Sequence, residues 1–415
     1  MNQQPVPALR NIETIPITDN GKDYILLRDP SGFSEKVLAV SPEVLPILAL
    51  FDGQHSLDEM AEEISKAIGE PFPAENLKQL ADTMEDALFL MSKSFFKEQK
   101  ELQERFRLSK IRQPVMAGNG YPAEVPALKE LLEHYLNSPD PEDFEPEKPE
   151  KSLPTGLLLP HIDLVRGGPS YGRCYREFSK LTGAFDEKPL LIVIIGVAHG
   201  GALSPIVIAD KDFDTPFGRF MLDGRAKALA HARLGDKPFD ELWVHKNEHS
   251  IELQIIWLQH ILKDREVTFL PILAGSFSAG KSGNPADNNE VKNTIETLQQ
   301  IENSHDGNVL WVASVDFAHV GPRFGDIDPV EKSFLSQIAR RDLEALEALR
   351  NTDARKWWES ILKDDNERRV CGFYATYLFL ELVKGSKGFI CDYQQAVSNE
   401  KDQMVSFASA IFTAN

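Results

Sequence analysis

Leu191–His199 reads LIVIIGVAH. A short run of Val, Ile and Leu closed by glycine and a polar residue reads as a buried β-strand. Two further runs share this form: TGLLLPH over Thr155–His161 and WVASVDFAH over Trp311–His319. Each of the three ends in a histidine. Open α/β sheets bind ligands just beyond the carboxyl ends of their strands. Histidines placed there three times, once with Asp316 three residues upstream, predict one shared polar site.

Outward from these runs, the pattern alternates. Strands are expected near Gly156–Leu159, Leu190–Gly196, Val267–Leu273 and Val309–Val315. Helices are expected near Tyr171–Leu181, Asp223–Ala232, Ser250–Leu262, Asn289–Ile301 and Pro329–Leu349. Such alternation implies βαβ crossovers, and so an α/β domain with a mainly parallel sheet flanked by helices. The end of the chain differs. GFICDYQQAVS (Gly388–Ser398) and MVSFASAIFTA (Met404–Ala414) predict an antiparallel hairpin at a sheet edge.

Residues 1–105 read as a separate small α+β domain. YILLRDP (Tyr24–Pro30) and KVLAV (Lys36–Val40) are two strands around a PSG turn. Three helices follow: one after Ser41, one opened by the capping box of Ser56 and Glu59 and closed by Gly69, and one from Ala74 to about Leu90. Two strands and three short helices suggest a winged helix. Residues 106–152 are helical and charged, then acidic and proline-rich in SPDPEDFEPEKPEKS (Ser138–Ser152). That stretch has too little apolar surface to offset the entropy of ordering and is expected to be an exposed linker. The α/β domain then spans residues 153–415.

The net charge of -19 excludes the clustered basic surface that nucleic acid or an anionic membrane demands. Three cysteines make no disulfide framework, and the N-terminus carries no basic-then-apolar signal; a cytoplasmic protein is expected. A dinucleotide glycine motif, G-x-G-x-x-G, is missing. AGSFSAGKSG (Ala274–Gly283), with three glycines and a Lys-Ser pair, reads as a flexible loop.

Four groups of residues could carry chemistry. His161 and His199 each sit in a loop with two glycines close behind, which would let a ligand approach the backbone. In EHSIELQ, Glu248 and His249 open a helix, and Glu252 shares a face with Glu248; a capping cluster is the plainer reading of the same string. Asp316 and His319 form D-F-A-H, in which a carboxylate can fix an imidazole's tautomer and raise its basicity. Cys371 opens an apolar helix, where exposed amides favour a thiolate, with Gly372 leaving space beside the sulfur. A buried structural thiol is the plainer alternative, and the expected role of Cys174 and Cys391.

PHIDLVRGG, GVAHGG, TPFG, EHSIELQ, SVDFAHVG and CGFYA, in that order, resemble the Memo family, component B of the AmmeMemoRadiSam system. The resemblance implies a fold like that of the class III extradiol dioxygenases and a metal held by His161, His199 and Cys371. It places His249, Asp316 and His319 beside that metal; with Glu248, read as a group that would orient the base, these are the catalytic candidates. Iron or copper is implied ahead of zinc, and a radical SAM protein and an AMMECR1-like protein are the implied partners. Two departures touch the pocket: Ile162, Asp163 and Leu164 follow His161 where many members have Ala-Gly-Tyr, and Val315 replaces a serine. Residues 1–105 resemble PqqD-type winged helices, which implies a peptide docked as an added strand. Two functions are consistent with these strings. One is a metal-dependent, dioxygenase-like oxidoreductase; the other is a non-catalytic adaptor that holds a peptide or partner through its N-terminal domain and a metal or ligand in its pocket.

Overall fold

The computed structural model describes residues 4–141, 144–149, 151–275, 277 and 283–415. The chain divides into two compact units, Met1–Leu108 and Ser109–Asn415. Most of the expected loop over 274–283 lies outside the described residues.

The first unit is an antiparallel sheet of β1 (Glu13–Asp19), β2 (Lys22–Arg28) and β3 (Val37–Val40) with four helices. These are α1 (Leu45–Leu48), α2 (Leu57–Ile68), α3 (Ala74–Asp86) and α4 (Lys93–Leu108). Strand β1 had no signal in the sequence reading, because ETIPITD mixes acids with a proline. The capping box forms as expected, and Gly69 ends α2 at φ 77°. Asp29 closes the turn after β2 by accepting from the Ser31, Phe33 and Ser34 amides, and it pairs with buried Arg10 at 3.0 Å.

The second unit is built on a sheet ordered β12-β14-β5-β11-β6-β10-β9-β8-β4, with β13 beside β14 and β7 beside β10. Its centre is parallel: β5 (Pro154–Leu159), β11 (Val309–Ser314), β6 (Leu190–Val197) and β10 (Val267–Ala274). On one side β14 runs antiparallel to β5; on the other β7 runs antiparallel and β9 parallel to β10, so the sheet is mixed. The predicted hairpin is β13 (Lys387–Val397) and β14 (Met404–Thr413), joined to β5 through β14. At the other flank, β7 (Ile206–Ile208), β8 (Asp212–Thr215) and β9 (Gly218–Leu222) were not foreseen, being too short for a periodic signal.

Successive residues of the central strands supply opposite faces. Leu191, Val193 and Ile195 pack with α10 (Asn289–Ser304), α11 (Lys332–Arg350), α12 (Ala354–Leu362) and α13 (Phe373–Leu382). Leu190, Ile192 and Ile194 pack with α5 (Val125–Leu136), α6 (Leu164–Ser179) and α9 (His249–Ile261). Helices α7 (Gly224–Leu234) and α8 (Lys237–Asp240) complete the unit, with β12 (His319–Val320) on β14.

The expected linker is the main difference. The two units divide after Leu108, and residues 109–152 belong to the second unit where described. β4 (Ile111–Arg112) pairs with β8, and α5 packs on α6. The acidic stretch is held by specific partners: Asp140 pairs with Arg176 at 2.5 Å, and Glu147 with Arg350 at 2.7 Å and with the Ile390 amide at 3.1 Å. Composition registers the shortage of apolar side chains but not the arginines that wait elsewhere in the chain. Among the described residues, no helix is long and apolar enough to cross a membrane.

Candidate metal centre

Strands β5, β11 and β6 are neighbours in the sheet, so the residues just beyond their carboxyl ends converge. His161 is 2% exposed. Its Nδ1 donates to the Ser314 carbonyl at 2.9 Å, which leaves the Nε2 lone pair directed at Cys371 Sγ, 3.3 Å away. Its amide donates to Asp316 Oδ1 at 2.9 Å. His199 lies across from it, with ring centroids 4.8 Å apart, and its side chain keeps 37% exposure. Both its amide (3.0 Å) and its Nδ1 (3.1 Å) donate to Glu248. The other ring nitrogen is thereby left to Cys371. One ligand atom each from His161, His199 and Cys371 can be chosen so that all lie within 4.8 Å of one another.

Glu248 is the N-cap of α9, and its carboxylate accepts from the Ser250 amide at 2.9 Å. Burial pushes its pKa up, but the His199 hydrogen bond, the neighbouring imidazoles and the Ser250 amide outweigh that and hold it well below the usual carboxylate range. His249, the first residue of α9, stacks on His199 at 5.0 Å; burial lowers its pKa against the pull of Glu248. Burial likewise drives His161 well below its ordinary value, reinforced by His199 and His249. For His199 the balance reverses. Burial opposes protonation, yet hydrogen bonds to Cys371 and Glu248 raise its pKa.

Asp316 is buried, which raises its pKa; the His319 imidazole and the His161 and Ile162 amides pull the other way. Its main-chain carbonyl receives Cys371 Sγ at 3.4 Å and the Gly372 amide at 3.2 Å. His319 flanks the cluster without joining it. Its Nδ1 donates to the Phe317 carbonyl at 3.1 Å, its ring meets the Phe324 ring at 5.2 Å, and burial lowers its pKa.

Four sequence expectations change. Helix α13 starts at Phe373 with Gly372 as its N-cap, so Cys371 lies one residue outside it, and burial pushes the thiol up. The space at Gly372 is filled: a Cβ there would lie 2.4 Å from Val315 Cβ. Gly167 and Gly168 admit no ligand either, since Ile162 and the Tyr135 ring occupy their open sides. Around Gly200 and Gly201, by contrast, the space is open. Glu252 faces away from the histidines. It pairs with buried Arg112 and accepts from the Val115 and Met116 amides and the Tyr121 hydroxyl.

Several supporting residues went unremarked. Ser314 presents its carbonyl to His161, and its hydroxyl donates to the Ser250 carbonyl at 2.6 Å. Gln254 donates to Ser314 Oγ at 2.8 Å and to the Pro160 carbonyl at 2.7 Å. Arg112 donates to the Glu248 carbonyl at 2.6 Å. The only local signals were a serine ending an apolar strand and a glutamine four residues after Ser250; for Arg112 there was none.

Two imidazoles and a thiol thus lie close enough together that the group could hold a metal ion. Residues 112–411 match the profile of the family described as Memo-like protein. The chain belongs to that family. A "MEMO1 family protein" of Aquifex aeolicus is 29% identical over 394 residues, covering 94% of this chain and 96% of its own. Another, from Thermus thermophilus, is 28% identical over 335 residues, 80% of this chain and 91% of that one. A third, from Thermococcus onnurineus, aligns over 99% of its own length but only 73% of this chain. The shorter Memo-like relative is thus about the size of the second unit, whereas the Aquifex alignment is long enough to take in most of the first as well.

Proposed function

We propose that this Memo-like protein binds one transition-metal ion through His161 Nε2, the outward nitrogen of His199 and Cys371 Sγ, and acts as a metal-dependent oxidoreductase. The observation that carries this reading is the tethering of both imidazoles by Nδ1, which leaves the opposite nitrogens facing the thiol. Two imidazoles and a thiolate suit iron, copper or zinc far better than magnesium or calcium, and iron or copper is preferred for redox work. A bound ion of this kind would supply electron transfer and an open coordination position. The chain's own part is orientation and proton handling. The Ser314 carbonyl and Glu248 select the tautomers of His161 and His199, as outer partners of metal-bound histidines do. His249 and His319, both held toward the neutral form, are the bases within reach of a bound substrate, with Glu248 and Asp316 setting their charge environment. A cysteine stands where the extradiol relatives are expected to use a carboxylate, so ring cleavage does not follow from the fold likeness.

Metal content of protein purified anaerobically, followed by Fe(II) and Cu(I) titration, tests the reading. One equivalent is expected to bind, and His161→Ala, His199→Ala or Cys371→Ala to weaken it at least tenfold. Failure of either metal to bind stoichiometrically sinks the proposal. A metal that binds with no oxidation or cleavage of any substrate supports the adaptor reading instead. In both readings the first unit serves as a PqqD-like peptide-recognition element, and a radical SAM protein and an AMMECR1-like protein are the proposed partners.

A further inference from the structure

Helix α9 begins at the histidine cluster and runs about 20 Å to a second, chemically different place. A cavity of about 360 Å³ lies at its far end, walled by α5, the β8–β9 turn and the start of β10. Its floor is apolar: Phe217, Phe220, Leu258, Leu262 and Val267 line it. Its polar lining is Lys129, Arg219, Lys263 and Arg265 together with Gln259 and His260, the last paired with Glu133 at 2.8 Å. Among the described residues no aspartate or glutamate lines it, in a chain where acids outnumber bases 64 to 45. Arg219 is engaged by Asp214 at 3.0 Å, and Arg265 by the Asp186 carbonyl at 2.6 Å. Lys129 and Lys263 carry no ion pair among the described residues, and both are exposed.

The wall is tied in place. Gln259 accepts from Thr215 Oγ1 at 2.6 Å and donates to the Gly218 carbonyl at 3.1 Å, which fastens the β8–β9 turn to α9. Thr215 Oγ1 also accepts the Phe217 amide at 3.1 Å, and the Phe217 ring stacks on His260 at 6.1 Å. An apolar floor with unpaired cations at its rim selects a compact organic anion, and the volume lies at the small end of ligand cavities. A plainer role for Lys263 and Arg265 is to complement the carboxyl end of α9. That role does not explain Lys129, which comes from a different helix, nor the aromatic floor.

We propose that this cavity is a binding site for a small anion with an aromatic or aliphatic body, separate from the histidine cluster and independent of the metal. NMR titration of the full-length protein with phenyl phosphate, benzoate, benzyl alcohol and inorganic phosphate tests it. Phenyl phosphate and benzoate are expected to saturate, perturbing α9 and the β8–β9 turn, and to bind at least tenfold tighter than benzyl alcohol or inorganic phosphate. The Lys129→Glu/Lys263→Glu variant should weaken both at least tenfold with an unchanged melting temperature, and added NaCl should weaken wild-type binding. His199→Ala should leave binding untouched. Four outcomes would overturn the proposal: equal binding of benzyl alcohol, which marks a merely apolar crevice; equal binding of inorganic phosphate, which marks loose counter-ions; binding insensitive to the double variant; or binding lost in His199→Ala. The absence of saturation by either organic anion would overturn it as well.

Discussion

Glu248 serves three purposes with one carboxylate. It caps α9, fixes the imidazole of His199 through Nδ1, and places a negative charge beside His249. Glu248→Gln keeps an acceptor and the shape but removes the charge. If the proposed metal binds, its affinity, measured against a competing chelator, is expected to fall roughly 10- to 100-fold, as found for outer partners of metal-bound histidines. An unchanged affinity would mean that Glu248 only caps the helix. His245 illustrates burial that one hydrogen bond does not offset. Its Nε2 donates to the Val207 carbonyl at 3.1 Å, Nδ1 has no partner among the described residues, and burial drives its pKa down to about 4. The unfolded chain binds that proton below its ordinary value of 6.5, whereas the folded chain resists it. Stability is therefore unaffected above that pH and falls as pH drops from 6.5 toward 4, by about 3 kcal/mol in total. Urea midpoints at pH 7.5 and 4.5 should diverge more for wild type than for His245→Gln, and parallel losses would refute the assignment. Of these two residues, Glu248 was legible in the sequence because its string is unusual. His245 was not, since its pKa depends on what surrounds it.

At the scale of elements, the contact between α5 and α6 rests on missing side chains. A Cβ at Gly172 would lie 2.0 Å from the Tyr135 carbonyl oxygen, and one at Gly168 would lie 2.3 Å from the Tyr135 ring. Backbone cannot move aside as a side chain can. Gly172→Ala is expected to destabilise the protein by about 1–3 kcal/mol in urea unfolding, despite alanine's higher helix propensity. A stabilised variant would show that α5 packs less closely than described. The same contact explains why the glycines after His161 misled the sequence reading. Small residues signal a close neighbour, and only the fold says whether that neighbour is a ligand or a helix. The strands and the terminal hairpin, by contrast, were readable, because a strand buried on both faces must be apolar throughout.

At the scale of the whole molecule, the boundary at Leu108/Ser109 leads to a truncation experiment. A chain starting at Ser109 keeps Arg112 against Glu252 and α5 against α6. One starting at Leu153 leaves Glu252, 0% exposed, without its cation, an uncompensated buried charge that costs about 3–5 kcal/mol. The longer fragment is expected to melt cooperatively by circular dichroism and the shorter one not. A cooperative melt of the shorter chain would refute the structural role given to residues 109–152.

By itself, the sequence determined the α/β class, the strand ends and the residue types waiting there, because hydrophobic runs and strand-end position are local properties of the chain. Tertiary structure alone decided which of those residues meet, which glycines are filled, and that an acidic, proline-rich stretch is anchored rather than free. The physical reason is that each of those outcomes depends on a partner contributed by residues far away: Ser314 for His161, Glu248 for His199, Tyr135 for Gly172 and Arg350 for Glu147.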